Sequence, residues 1–330
     1  MQIDIKTTSV EPIRQTFGHV ARRIGPGKTA SRYQEATFDL QPTTNFHYRP
    51  LWDPEHQLYD KERTVIKMED WYDIKDPRQY YYGTWTINRS KQQDAADRNF
   101  KFVEGRGLLN HIDTEWQQKI KHVLLPLRHL EYAANQNNCY CSAYGWGTAV
   151  TQATMYSAID RLGIAQYVSR VGLVLDDNSA ESLDEARELW MSHKSWQPIR
   201  KLAEDMMMTK DWFELFVAQN VVLDGLLYPL IYQRFDSEVS KHGGSAFAML
   251  TEFQNEWFGE VSRFVDAVIK TCAAESEGNA NQIRGWVNDW RAGVEQSLMP
   301  LMEDAFGDRA AEQMAWAQAQ LSERLSKKCK

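Results

Sequence analysis

Carboxylates and imidazoles three or four residues apart on a helix can share one metal ion, because that spacing brings both side chains to one face. The chain has 45 acidic residues and eight histidines, at positions 19, 47, 56, 111, 122, 129, 193 and 242. A carboxylate-bridged di-iron centre in a helical bundle takes a glutamate from each of two helices and an E-x-x-H pair from each of two others. No glutamate here is followed by a histidine three residues later, and no two histidines stand four apart, so H-E-x-x-H is missing as well. Asp53-Pro-Glu-His56 has D-x-x-H spacing, but Pro54 inside it is incompatible with a helix interior. Asp184-Glu-Ala-Arg-Glu188 has the form of a ligand helix whose histidine position holds a glutamate. A solvated, charged helix face is the simpler reading of it.

Nucleotide and nucleophile chemistry fare no better. Gly25-Pro-Gly27-Lys28-Thr29 has the composition of a phosphate loop, yet that pattern needs a glycine five residues before Gly27, where Arg22 stands. Neither G-x-G-x-x-G after a strand nor G-x-S-x-G occurs. The four cysteines, Cys139, Cys141, Cys272 and Cys329, form no C-x-x-C pair, so free thiols are expected rather than a zinc site or a disulfide framework.

The elements that would have to position such residues are mostly helical. At 330 residues, length alone sets a prior of about two domains. Hydrophobic residues make up 43 % and charged residues 25 %, an ordinary soluble composition. With 38 basic against 45 acidic side chains the net charge is −7, which disfavours nucleic acid and anionic membrane as partners. The opening residues lack the charged-then-apolar pattern of a signal peptide, and the most apolar stretch, Phe216 to Tyr232, is interrupted by Gln219, Asn220 and Asp224. That stretch is too short to span a bilayer. A cytoplasmic location is expected.

Six of the ten prolines lie in the first 77 residues, among aromatic runs such as FHYRPLWDPEHQLYD with no helical period. Proline fixes its own φ and biases its predecessor to extended backbone, so this part reads as a long irregular arm. It is too aromatic to be a solvated tail, and needs a surface to lie on. From about Asp94 the pattern becomes helical, with residues recurring three and four apart: Trp116, Ile120, Val123, Leu124, Leu127; Val168, Val171, Leu175; Phe213, Phe216, Val217, Asn220, Val221, Asp224. Ser182 and Glu185 make an S-x-x-E capping pair, and Gly243-Gly244 divides two helices. The last helices run near Asn279 to Met302 and Gly307 to Leu325. The one strand-like run is Tyr80 to Ile87. The 12 Trp, 14 Tyr and 13 Phe suit both a core and a partner interface.

Three segments carry a family resemblance: PGKTASRYQEATFDLQPTTNFHYRPLWDPEHQLYD in the arm, then LPLRHLEYAANQNNCYC and GTAVTQATMYSAIDRLGIAQ in the helices. The whole chain resembles the β (small) subunit of bacterial multicomponent monooxygenase hydroxylases, and most of all the phenol hydroxylase oxygenase component. The resemblance implies an all-α, ferritin-like (ribonucleotide reductase-like) bundle over residues 91–330 and a long irregular arm over residues 1–90 that packs on a partner subunit. Phe46, Tyr48, Trp52, Tyr59 and Trp71 would be its contact residues. It implies an (αβγ)₂ hydroxylase that oxidises phenol and related aromatics with O₂ and electrons from NADH. The partners would be a catalytic α subunit, a small γ subunit, a second αβγ protomer and a regulatory protein. The di-iron centre would belong to α, with no catalytic, cofactor or metal site in this chain.

Set beside the α-type ligand pattern, the metal positions here are degenerate. Glu131, in Leu130-Glu-Tyr-Ala-Ala134, matches the first helix glutamate. Asp160 and Gly163 stand where an E-x-x-H pair would be; shifted by one residue, the pair reads Arg161 and Ile164. Asp224 takes the third helix's glutamate place, and Glu252 with Asn255 replaces the last E-x-x-H. Without imidazoles, the ligands that anchor an iron pair are lost. Buried carboxylates left behind need other partners, and Glu131 is expected to pair with Arg161 or His129 or to stay protonated. The alternative is a metal-dependent oxidase with an all-carboxylate site drawn from Glu131, Asp160, Glu185, Glu188, Asp224, Glu252 and Glu256. A helical interaction protein unrelated to oxygenases is a third reading.

Overall fold

The computed structural model of the chain describes residues 16–43 and 49–326. Among these, no strand occurs, and the regular elements are helices. Two short ones, α1 (Gly18–Ile24) and α2 (Arg32–Thr37), lie in the arm. The body comprises α3 (Tyr82–Gly105), α4 (Thr114–Val123), α5 (Leu127–Tyr144), α6 (Thr148–Leu175), α7 (Glu181–Ser192) and α8 (Gln197–Met207). It continues with α9 (Trp212–Lys241), α10 (Ala248–Glu275), α11 (Glu277–Phe306) and α12 (Ala310–Ser326).

At the centre is α9, which other helices surround. Its most apolar stretch is wholly buried in the bundle. At 30 residues it is long enough to cross a bilayer, which corrects the expectation that the apolar stretch is too short. What marks it as a core helix is its packing: Phe213, Phe216, Val222, Leu226 and Phe235 are each fully enclosed by protein. Burial of each such side chain contributes about 1.5–3 kcal/mol. Two stretches of α9, Val217–Leu223 and Leu230–Phe235, are wound as π-helix, and Pro229, which has no N–H to donate, stands just before the second. A π turn brings residues five apart onto one face, a geometry common at functional sites.

Several sequence expectations shift. The arm expected to be irregular holds the two short helices α1 and α2; the helices of the body begin at Tyr82, not near Asp94, and the strand-like run Tyr80 to Ile87 enters α3, where Trp85 packs on Tyr156. The expected division between residues 90 and 91 therefore falls inside α3. The Ser182/Glu185 capping pair does not form. The N-cap of α7 is Ala180, and it is Asp176 that accepts the Ser182 N–H, at 2.8 Å, while the Ser182 side chain is buried. Gly243-Gly244 does divide α9 from α10.

Outside α1 and α2 the described part of the arm is largely irregular but tied to the body, as buried backbone polar groups require. Asn279 brackets Lys67, accepting its N–H at 3.1 Å and donating to its carbonyl at 2.7 Å. Asp211 accepts from the Val65 N–H at 2.8 Å. Trp71 stacks obliquely on Trp212 with ring centres 5.5 Å apart. Gly147, before α6, has φ +87° and lies against Trp71, so a Cβ there would meet the Trp71 side chain at 3.2 Å. Only glycine meets both demands comfortably.

Candidate functional site

The centre of the bundle holds a charge cluster with no access to water. Glu131 projects from α5, Arg161 from α6, and Asp224 and Tyr228 from α9; each is at most 2 % exposed. Arg161 Nη1 donates to Glu131 Oε2 at 3.0 Å and to the Tyr228 hydroxyl at 3.0 Å. Its other terminal nitrogen, Nη2, donates to Asp224 Oδ2. The Tyr228 hydroxyl donates to Glu131 Oε1 at 2.8 Å. Gln219 Nε2, five residues along the π-wound helix, donates to Asp224 Oδ1 at 2.9 Å and is itself held by Asn137 of α5. Every carboxylate oxygen in the cluster thus has a donor, as a buried ionic network requires, while Arg161 Nε is buried without a partner among the described residues. The guanidinium also lies over the Trp257 ring, 4.5 Å from its centre. Such cation–π contact suits arginine's flat, weakly hydrated charge.

Burial pushes the Glu131 and Asp224 carboxyls above their ordinary range, against the pull of Arg161. Burial opposes the Arg161 charge too, but Asp224, Tyr228 and Glu131 outweigh it, and the guanidinium stays charged. One cation faces two carboxylates. The resemblance's expectation for Glu131 resolves in favour of Arg161: His129 instead stacks on Trp190, and burial depresses its imidazole to about 4.

A second cluster adjoins the first. Asp160 accepts from Trp85 Nε1 at 3.1 Å, from Trp257 Nε1 at 2.9 Å, and from Arg89 through two bonds of 2.7 Å. Arg89 also bridges to Glu260 at 2.9 Å. Asp160 and Arg161 are adjacent in sequence and both buried because α6 is enclosed on two sides: Asp160 faces α3 and α10, Arg161 faces α5 and α9.

Glu131, Asp160 and Asp224 are therefore inside the bundle as expected, whereas the last helix is read in the wrong register. Glu252 and Asn255 point outward, to Asn99 and Gln233, and the inward residues of α10 are Thr251, Gln254 and Trp257. Gly163 is partly exposed, and the inward pair on α6 is Arg161 with Ile164, the one-residue shift. Glu185, Glu188, Glu252 and Glu256 are exposed, so the all-carboxylate oxidase site is not assembled. Nor do the central residues fit an iron pair: a guanidinium offers no lone pair to a metal, and here it engages both central carboxylates.

Of the proposed contact residues, Trp52 is 51 % exposed beside Tyr140 and Tyr144. Tyr59 is partly buried. Trp71 is only 6 % exposed and packs in this chain's own core, which removes it from a partner surface. Phe46 and Tyr48 lie outside the described residues. One grouping escaped sequence reasoning altogether: His122, His193 and Asp304, from α4, the α7–α8 connection and α11, come together at the surface. Their sequence separation hides them from any spacing test.

Fold and centre together define an all-α, ferritin-like bundle with a buried arginine–carboxylate cluster at its middle. The family model described as Methane/Phenol/Alkene Hydroxylase matches residues 52–276, and the chain belongs to that family. The chain is 48 % identical over 314 residues to the phenol 2-monooxygenase oxygenase component DmpL of Pseudomonas sp. (strain CF600), covering 95 % of each. It is 46 % identical over 325 residues to the corresponding component MhpL of Acinetobacter pittii (strain PHEA-2), covering 98 % of each. A chain of the xenon-pressurized phenol hydroxylase crystal structure from Pseudomonas sp. OX1 superposes with a TM-score of 0.91 at 45 % identity, covering 98 % of both.

Proposed function

We propose that this chain is the non-catalytic β subunit of a multicomponent phenol-type monooxygenase hydroxylase of (αβγ)₂ composition, acting in the cytoplasm. The observation that carries the reading is Arg161, whose guanidinium takes the two carboxylates, Glu131 and Asp224, that an iron pair would need. The di-iron centre and the aromatic substrate would then belong to the α subunit, and NADH-derived electrons would reach it without passing through this chain. This chain's task would be to brace α, build the dimer and help form the docking surface of the regulatory protein.

A partner surface of the right kind is at hand. On α6, Met155, Ile159 and Leu162 follow the three-to-four spacing of one helix face and are exposed, with Tyr132 of α5 beside them. An apolar stripe at this scale is what an obligate subunit presents to its neighbour. The test is reconstitution with the partner subunits. Glu131→Gln should leave turnover per assembled hydroxylase unchanged, even if the variant is less stable. A loss of turnover in fully assembled complex would place the chemistry in this chain and overturn the reading.

A further inference from the structure

We infer that His122, His193 and Asp304 form a surface site for a borderline divalent transition-metal ion, with Zn²⁺ as its natural probe. One nitrogen from each imidazole and one Asp304 oxygen all lie within 4.8 Å of one another. Zn²⁺ binds imidazole at about 2.0–2.1 Å and carboxylate at about 2.0–2.2 Å, with tetrahedral ligands about 3.3 Å apart. Small side-chain movements would therefore close the set. Two nitrogens and one oxygen suit Zn²⁺ and its neighbours better than Mg²⁺ or Ca²⁺, which prefer oxygen alone.

The site is already arranged. His122 Nε2 lies 2.7 Å from Asp304 Oδ2, and the two imidazoles meet edge to face with centres 4.7 Å apart. Asp304 also accepts from the Ser195 hydroxyl, which orients the carboxylate as an outer partner orients a metal ligand. The Ser195 N–H points to His193 Nδ1 at 3.3 Å, and Trp196 Nε1 holds the His122 carbonyl at 3.0 Å. His122 and His193 also line an open surface groove of about 1020 Å³, through which an ion can reach them. Glu181, Asp184, Glu185 and Glu188 line the same cavity. Of the two lysines there, Lys121 is already paired with Asp176, leaving Lys194 as the opposing charge. The acidic wall of α7, without acting as ligand, raises the local concentration of cations. Binding would replace the proton between His122 and Asp304 by the metal and clip three elements, α4, α11 and the α7–α8 connection.

The test uses the tag-free full chain, equilibrated with Zn²⁺ alone and compared with His193→Ala and Asp304→Asn. One Zn²⁺ per wild-type chain is expected, with affinity falling at least tenfold in each variant and a Zn²⁺-dependent rise in melting temperature that both variants lose. Circular dichroism in the presence of chelator verifies that the variants fold, and His193→Gln replaces the alanine variant if it does not. Co²⁺ on the wild-type chain should give visible ligand-field absorption from nitrogen and oxygen ligands. Equal Zn²⁺ uptake by wild type and variants, or no uptake of either ion by wild type, overturns the proposal.

Discussion

Arg161 Nη1 lies 3.0 Å from Glu131 Oε2, with both side chains sealed inside the bundle. The guanidinium is a buried cation of the chain itself, and Asp224 pairs with its other terminal nitrogen. Removing Arg161 would leave two buried carboxylates without their charge partner. Arg161→Met should therefore destabilise the chain by about 3–5 kcal/mol in denaturant unfolding. Adding Glu131→Gln and Asp224→Asn to it should recover a substantial part, because the stranded charges are then gone. A cost for Arg161→Met below about 1 kcal/mol would show that the centre does not need the cation.

The Asp160 cluster makes a separate prediction. Trp257→Phe keeps the ring over Arg161 but deletes one N–H donor to Asp160, and should cost about 1.5–3 kcal/mol as a hydrogen bond to a charged group. In a double-mutant cycle with Asp160→Asn the two changes should be strongly non-additive, because they share that bond. Simple additivity would contradict the contact.

Acid–base behaviour offers a third. Burial raises the Asp236 carboxyl to about 6, against a hydrogen bond from Thr251. A raised folded-state value means that this group's contribution to stability is fully present below its unfolded value near 4. It is lost as pH rises through about 6, where the folded chain must hold a desolvated charge. Asp236→Asn should accordingly stabilise the chain at pH 7.5, on the order of 1–3 kcal/mol, with a smaller gain at pH 5. The check is unfolding free energy at both pH values; a gain that is larger at pH 5 reverses the sign and refutes the assignment.

The arm divides its aromatics between two tasks. Trp71→Ala should destabilise the isolated chain by about 3–5 kcal/mol, since it removes a core residue packed on Trp212. Trp52→Ala should change stability by less than about 1 kcal/mol yet weaken assembly with the partner subunits, because half of that ring faces outward. Unfolding midpoints and co-purification yields measure the two effects. A Trp52 variant that assembles as tightly as wild type would remove this residue from the interface.

Much of the bundle is legible from helical periodicity, because α5, α6, α9 and α10 bury stripes at three- and four-residue spacing. Glu131 and Asp160 could be placed inside it only from the family pattern, and Asp224 also from its place in the stripe that begins at Phe213. Register at the last helix could not: a shift of one residue turns a side chain by about 100°, which is the difference between Glu252 facing Asn99 and Thr251 or Gln254 facing the core. The α6 pair shows the same sensitivity, where Gly163 yields to Ile164 and Arg161 becomes the central residue. The π turns of α9 leave no trace in a 3.6-residue pattern, so the Gln219–Asp224 contact was invisible. His122 and Asp304 are 182 residues apart, and only the packing of α4 on α11 brings them together.

On the proposed reading, Arg161 stands in the place of a metal and this chain holds no di-iron centre. That reading is tested most directly by loading the purified full chain with Fe²⁺ under anaerobic conditions, desalting it and counting bound iron per chain. No iron is predicted at the centre: wild-type chain should retain at most one ion, held at the His122–His193–Asp304 surface site and lost in His193→Ala. Retention of two iron ions per chain, abolished by Glu131→Gln with Asp224→Asn, would contradict the account.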